Sequence, residues 1–279
     1  MNFQKVTKHL EQSNDPKSTF IVKNILISIM FLNHPLPRRL VAIQKVVAPS
    51  FIQFKERRYL SIMAESVSSN TGKKIIRIDV SSDTVCPWCF VGKRNLDKAI
   101  AASKDRFDFE IKWHPFFLNP SAPKEGVNKL DFYREKFGPR AEGILTRMTE
   151  IFRGLGLEYN MSGLTGNTLD SHRLIYFAGQ QGIDKQHKLA EELFLGYFTQ
   201  AKYVGDMEFL LECAQKAGVE GAAKFLEDPD NGVKEVNEEL EKHSAHITGV
   251  PFYVINGKQK LSGGQPPEVF QRAFAASAE

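Results

Sequence analysis

The 279-residue chain has little cysteine, little tryptophan and no long apolar segment. Its three Cys exclude a disulfide-stapled small domain and indicate a compartment in which thiols stay reduced. The longest apolar run, residues 24–32, is too short to span a bilayer, so no membrane span is expected. Hydrophobic residues still make up 42% of the chain and include 21 Phe, which excludes a disordered chain and provides for a large core.

Positive charge is concentrated at the beginning of the chain. Residues 1–72 hold ten Lys and Arg against four Asp and Glu, and the remaining residues hold 27 against 29. Residues 73–279 are therefore nearly neutral, and their overall charge gives no reason to expect a nucleic acid as partner.

Residues 1–72 form an extension without a regular pattern of helices or strands, and we expect it to be mostly unstructured. Its second half, residues 37–63, is basic, poor in acids and amphipathic, which is typical of an organelle transit peptide. An equal alternative is that translation starts at Met63. A secretory signal is less favoured because Glu11 and Asp15 precede the apolar run and no A-x-A site follows it. The expected location is the mitochondrial matrix or the cytoplasm.

The motif that indicates chemistry is Cys86-Pro87-Trp88-Cys89. A β-branched run over 75–80 predicts a strand before it, and a helical pattern over 90–102 follows. Strict alternation over 107–113 predicts a second strand. A C-x-x-C pair between a strand and a helix of a β-α-β unit is typical of a redox motif.

The two cysteines are expected to have different roles. At a helix N-terminus, unpaired N–H groups and the helix dipole stabilise a thiolate, so Cys86 is predicted to be the attacking thiol. Cys89 lies one turn deeper and can attack the mixed disulfide formed on Cys86. Pro87 suits the first helical position because its missing N–H would be unpaired there anyway. Trp88 adds bulk but no proton or charge.

The alternative for the same pair is half of a zinc site. The other half would have to come from Cys213 or from His243 and His246, whose spacing is one residue short of the zinc-finger range. The sequence contains no second C-x-x-C, so no metal is expected. Cys213 is predicted to be a small buried apolar residue of a helix.

A hairpin and a final helix are predicted near the end of the chain. Asn256-Gly257 is a hairpin-turn signal, and Gly263 and Gly264 close the returning strand. Before the hairpin stand Val250 and Pro251. Pro251 could be an ordinary strand-edge proline. Its functional interpretation is a cis-proline loop that faces the cysteine pair and exposes the backbone of Val250 to an extended substrate.

This order of motifs resembles the DsbA-like branch of the thioredoxin superfamily, and more closely its FrnE-type oxidoreductases. Five stretches carry the resemblance: DTVCPWC at 83–89, PFFLNP at 115–120, NTLDSHRL at 167–174, GVPF at 249–252 and SGGQPP at 262–267. The resemblance covers residues 74–276. It implies the cis-proline, Cys86 as attacking thiol and Cys89 as resolving thiol.

The resulting fold is an α/β thioredoxin fold with an inserted all-helical domain. We assign residues 73–118 and 247–279 to the thioredoxin fold and 119–246 to the insert, which could wall the cleft above Cys86. His172, within the family pattern, is a candidate for orienting substrate, and the alternative is a packed residue after a helix cap.

The favoured function is thiol-disulfide oxidoreductase, acting on a protein or small-molecule disulfide. No bound cofactor is expected beyond the redox-active disulfide itself. In a reducing compartment the chain would reduce or isomerise disulfides rather than install them. Glutathione is a candidate electron donor, docking near Val250 and the 262–264 turn. The candidate substrate-binding residues are Pro87, Trp88, Val250, Pro251, His172, Gly263 and Gly264.

Two other functions stay open. Kappa-class glutathione transferases and hydroxychromene-carboxylate isomerases resemble the same architecture, but they typically have Ser at the position of Cys86, so the presence of both cysteines favours redox chemistry. A chaperone-like binding module would use the helical insert as its surface. That function predicts that Cys86→Ser changes little.

Overall fold

The computed structural model describes residues 72–278. The predictions for the N-terminal extension and for a start at Met63 lie outside these residues. Within them, no helix is long and apolar enough to cross a membrane. The elements in chain order are β1 (Lys74–Ser82), α1 (Pro87–Ala101), β2 (Phe107–Pro115), β3 (Val127–Asn128), α2 (Lys129–Phe137), a 3-10 turn (Gly138–Arg140), α3 (Ala141–Gly154), β4 (Leu164–Thr165), α4 (Leu169–Gln180), α5 (Ile183–Thr199), α6 (Met207–Ala217), α7 (Ala222–Glu227), α8 (Val233–His243), β5 (Phe252–Ile255), β6 (Gln259–Ser262) and α9 (Pro267–Ser277).

A four-stranded mixed sheet in the order β2-β1-β5-β6 forms the thioredoxin-like part of the chain. β1 pairs parallel with β2, so that Ile78 lies beside Ile111, and antiparallel with β5, so that Ile78 also lies beside Ile255. The central strand buries Ile76, Ile78 and Val80. Ile75 and Arg77 are exposed, so over this stretch the strand buries the face that carries the alternate residues. β-Branched residues favour such a half-buried strand, which explains why this run could be predicted as one.

Helix α1 begins three residues earlier than its apolar pattern predicts. Cys86 has extended backbone angles, φ −88° and ψ 114°, and forms the N-cap, while Pro87 occupies the first turn. Proline is accepted there because no intrahelical N–H bond is required at that position. The helix therefore starts directly after the first cysteine of the motif.

The helices α2 to α8 all lie between β2 and β5 in the chain, as predicted for an insert in a thioredoxin fold. The insert also contains a two-stranded ladder, in which β3 pairs with β4, that the apolar pattern did not indicate. Phe90 of α1 connects the two parts: its ring lies 5.3 Å from Phe194 and 5.9 Å from Phe198, and edge-on to Phe152 at 5.7 Å. The sheet part and the insert thus share one apolar core.

Local sequence patterns in the insert predict helix N-caps at Asp184 and Asp206 and a solvated helix face for the acidic run over 235–241. The structure corrects two of these predictions. Asp206 is an N-cap, and it accepts a hydrogen bond from the Glu208 amide, but α5 is capped by Gly182 rather than by Asp184. At Gly182 φ is +133°, a conformation that only glycine adopts readily, so Asp184 falls in the first turn. Glu239, expected on a solvated helix face, bonds instead to buried His114 at 2.5 Å.

Candidate active site

The two cysteines of the motif differ in their surroundings. Cys86 caps α1, and its carbonyl accepts from the amides of Cys89 at 3.0 Å and Phe90 at 3.4 Å. Its side chain retains a small exposed area, with the residue 5% exposed, whereas Cys89 is 0% exposed. Only the first cysteine of the pair can therefore be approached from outside.

Burial also separates the two thiols chemically. Desolvation is the main cause that raises the pKa of the Cys89 thiol well above its usual range, and the neighbouring Cys86 raises it further. Hydrogen bonds from Ser82 and from the Asp83 backbone oppose this rise without reversing it. Cys89 is accordingly held as a neutral thiol.

The loop before β5 approaches Cys86 directly. The peptide bond between Val250 and Pro251 is cis, the isomer that the functional interpretation of this loop requires. The Cys86 thiol donates to the carbonyl oxygen of Val250, with 3.6 Å between Sγ and oxygen. The sequence-predicted residues Cys86, Val250 and Pro251 thus come together although 164 residues separate Cys86 from Val250.

The glycines of the hairpin support this loop from the other side. The Gly263 amide donates to the Pro251 carbonyl at 2.8 Å, and its φ is +81°. A Cβ on Gly264 would lie 3.1 Å from Cε3 of Trp88. These two residues therefore hold the Pro251 loop and the Trp88 indole in position.

His172 lies behind the site. It is buried, its Nε2 is 3.2 Å from the Phe116 carbonyl oxygen, and Nε2 is 3.6 Å from Oδ1 of Asp83. Asp83 is itself 1% exposed, and its other carboxylate oxygen accepts from the Leu118 amide at 2.8 Å. The histidine thus packs beneath the segment that leads to Cys86, and its role toward substrate stays a prediction.

A cavity of about 490 Å³ opens over Cys86. Cys86, Pro87, Trp88 and Val250 form the side next to the sheet, and helices α2 and α3 of the insert form the opposite wall. The insert walls the cleft above Cys86, as expected. The apolar wall residues are Leu118, Val127, Phe132, Phe137, Ile144 and Met148.

The third cysteine and the histidines considered for zinc lie elsewhere. Cys213 is buried in α6, where desolvation raises its pKa to about 12, and the prediction of a small buried apolar residue is confirmed. Within residues 72–278, three side chains that could share a metal ion meet only at Asp79, His114 and His243. Neither cysteine of the pair belongs to that group.

The comparison with known proteins agrees with this geometry. A family described as DSBA-like thioredoxin domain matches residues 77–275. The chain belongs to this family. As a DSBA-like protein, it falls in the general class of thiol-disulfide oxidoreductases or isomerases, which use a redox-active disulfide and no prosthetic group.

Three relatives illustrate the range of the similarity. The structure of the probable DsbA oxidoreductase SCO1869 from Streptomyces coelicolor is 31% identical, covers 72% of this DSBA-like chain and 89% of its own, and has a TM-score of 0.65. The uncharacterized protein YwbO of Bacillus subtilis is 27% identical over 208 residues, which are 72% of this chain and 96% of YwbO. A 2-hydroxychromene-2-carboxylate isomerase shares the fold, with 12% identity, coverage of 72% and 95%, and a TM-score of 0.53.

Asp83 is one of the residues of the site that sequence reasoning missed. Its signal was its place in the DTVCPWC stretch, three residues before Cys86. The buried Asp83 carboxylate can be accommodated because the backbone amides of Val85 and Leu118 donate hydrogen bonds to it.

Proposed function

We propose that this DSBA-like protein reduces disulfides, with Cys86 as the attacking thiol and Cys89 as the resolving thiol. One observation carries the proposal: Cys86 lies at the start of α1 and lines the cavity, with its thiol 3.6 Å from the Val250 carbonyl oxygen, while Cys89 is fully buried. The helix N-terminus stabilises negative charge on Cys86. The same N-terminus makes Cys86 the better leaving group when Cys89 attacks.

The reaction proceeds by two exchanges. The Cys86 thiolate attacks one sulfur of a substrate R–S–S–R′, forms a Cys86–S–S–R bond and releases R′–S⁻. Cys89 then loses its proton and attacks the Cys86 sulfur, which releases R–S⁻ and leaves a Cys86–Cys89 disulfide. The substrate has gained two electrons. Two molecules of a thiol donor, for which we propose glutathione, return two electrons to the pair and leave as the donor's own disulfide.

The Pro251 loop is proposed to orient the substrate. The Val250 carbonyl lies beside the Cys86 thiol, so an extended segment around the substrate disulfide can pair with the Val250 backbone. Gly263 supports the loop through its hydrogen bond to the Pro251 carbonyl. Nothing in this step requires His172 to touch the substrate, and we assign it to positioning the Asp83 segment.

We further propose that the chain is of the FrnE type and acts in the mitochondrial matrix or the cytoplasm. The five shared stretches support the first proposal. Three cysteines, of which Cys213 is an inert buried thiol, support a reducing compartment. Reduction rather than formation of disulfides follows from that location.

The test is the reduction of insulin by the full chain with dithiothreitol as donor, followed by turbidity as the freed B chain precipitates. We expect Cys86→Ser to abolish the acceleration and Cys89→Ser to lower it strongly, because release of the mixed disulfide then depends on attack by dithiothreitol alone. Cys213→Ala is the matched control, because it removes the remaining thiol at a buried apolar position, and it should retain the activity.

Two outcomes would contradict the proposal. Equal activity of the wild type and Cys86→Ser would remove the thiol mechanism and leave the binding-module function. Activity toward small electrophiles with glutathione that survives Cys89→Ser would favour the glutathione-dependent transferase or isomerase instead.

A further inference from the structure

We propose that the cavity over Cys86 binds a small disulfide with an apolar, aromatic-sized body and a carboxylate. This inference names the substrate class of the site and rests on the proposed function.

The size and position of the cavity suit a small molecule. Its volume of about 490 Å³ lies within the range of about 300–1,000 Å³ found for small-molecule sites. Cys86 forms part of its wall, so a disulfide within a bound molecule lies in reach of the attacking sulfur. Helices α2 and α3 of the insert contribute residues to the same cavity.

The walls of the cavity are apolar in the interior and at the mouth. Phe132, Met148 and the other wall residues form the interior. Six large hydrophobic residues are exposed within residues 72–278, and three of them, Trp88, Leu118 and Val127, line this cavity. Exposed apolar residues that gather at one concave site indicate a ligand with an apolar surface.

Two cations stand at the cavity without a carboxylate to neutralise them. Lys136 of α2 lies 5.4 Å from the Phe132 ring, and the Arg147 guanidinium of α3 lies 5.9 Å from the Trp88 ring. Both side chains are exposed, and neither forms an ion pair with an acid within residues 72–278. The one acid that lines the cavity, Asp83, is buried and accepts from backbone amides.

Charge and apolar surface together define the ligand. Lys136 and Arg147 favour an anionic group near the mouth, and the wall residues favour a ring or a branched apolar body beside Cys86. A disulfide that is polar throughout, such as glutathione disulfide, can pair its carboxylates with the two cations but has no apolar body to pack against the walls. A cationic disulfide such as cystamine offers neither an anionic group for the cations nor an apolar body for the walls.

The test measures the second-order rate at which the reduced full chain reacts with four disulfides. The probes are 5,5′-dithiobis(2-nitrobenzoate), which is aromatic and carries carboxylates, 4,4′-dithiodipyridine, which is aromatic and uncharged near neutral pH, glutathione disulfide, and insulin. Intrinsic reactivity differs among the probes, so each variant is compared with the wild type on the same probe.

The first variant is Lys136→Gln/Arg147→Gln, and its control is Arg153→Gln, the same change at an exposed arginine of α3 outside the cavity. We expect the double variant to lower the rate with the nitrobenzoate disulfide about tenfold, equivalent to about 1.4 kcal/mol. The dipyridine and insulin rates should change less than threefold. Arg153→Gln should leave all four rates unchanged.

The second variant, Leu118→Ser, tests the apolar wall at an exposed position, where the change does not disturb the core. It should lower the rates with both aromatic disulfides severalfold and leave glutathione disulfide and insulin unaffected. Rates that are unchanged in both variants, or lowered equally for every probe, would overturn the inference. If the inference failed in this way, loss of all reactivity in Cys86→Ser would still support the proposed function. Failure of the inference can therefore be distinguished from failure of the proposed function.

Discussion

Gly92 allows α1 to approach the Pro251 loop, and we predict that Gly92→Ala destabilises the protein. A Cβ at this position would overlap the Tyr253 hydroxyl and lie 3.2 Å from Cγ of Pro251. The Tyr253 ring is fully buried, 4.9 Å from the ring of Phe270, and cannot move aside freely.

The magnitude follows from two opposing effects. Replacing Gly by Ala within a helix gains about 1 kcal/mol in helix propensity. Overpacking a buried site costs about 1–3 kcal/mol. The net loss is therefore up to about 2 kcal/mol in the free energy of unfolding. A domain of this size loses about 2–4 °C in Tm for each kcal/mol.

The assay is urea unfolding followed by circular dichroism, together with the insulin reduction rate. Gly143→Ala is the matched control, because a Cβ on this helical glycine meets nothing within 4 Å and should gain stability. The Tyr253 hydroxyl is buried and has no hydrogen-bond partner among residues 72–278, so Tyr253→Phe should relieve both the overlap and a desolvation cost.

We therefore expect Gly92→Ala/Tyr253→Phe to recover most of the lost stability. The insulin rate of Gly92→Ala should fall because the Pro251 loop is displaced from Cys86. If Gly92→Ala gains as much stability as Gly143→Ala, the close approach of α1 to the loop is refuted.

Three further predictions concern the stability of the described residues. The hydrogen bond from His114 holds the pKa of Glu239 at about 2, below its usual 4.5. Above pH 4.5 this carboxylate therefore adds up to about 3 kcal/mol to the free energy of unfolding, and the contribution is lost as the pH falls toward 2. Glu239→Gln should flatten the pH dependence of stability in urea unfolding across that window, and an unchanged profile would refute the bond. Phe90→Ala should cost about 3–5 kcal/mol in the same unfolding assay, because its ring joins the sheet part to the insert, and a cost below 1 kcal/mol would contradict the shared core. Asp206→Ala should cost about 1 kcal/mol of unfolding free energy through loss of an N-cap, whereas Asp184→Ala should cost clearly less, and equal costs would contradict the assigned caps.

The parts of the fold that were predictable rest on local patterns. The β-branched run before Cys86, the alternation over 107–113 and the Asn256-Gly257 turn each determine their structure within a few residues. The C-x-x-C spacing likewise predicted where both cysteines lie relative to the helix, because the helix begins directly after Cys86.

What escaped prediction depends on contacts between distant residues. Glu239 lies in a run of acids that is typical of a solvated face, and its bond to His114 crosses 125 residues. The positions of Lys136 and Arg147 at the cavity follow from how α2 and α3 pack over Cys86, which no local pattern encodes. Gly182, and not Asp184, is the N-cap of α5, because backbone conformation rather than side-chain preference determines where this helix begins.

The central claim is that Cys86 attacks a disulfide and Cys89 resolves the product. Its most direct test is mass spectrometry of intact Cys89→Ser protein after reaction with 5,5′-dithiobis(2-nitrobenzoate) under native conditions, followed by peptide mapping. The account predicts one stable adduct, located on Cys86, that the wild type does not accumulate, because there Cys89 closes the disulfide with Cys86. An adduct on Cys213, or none on Cys86, would contradict it.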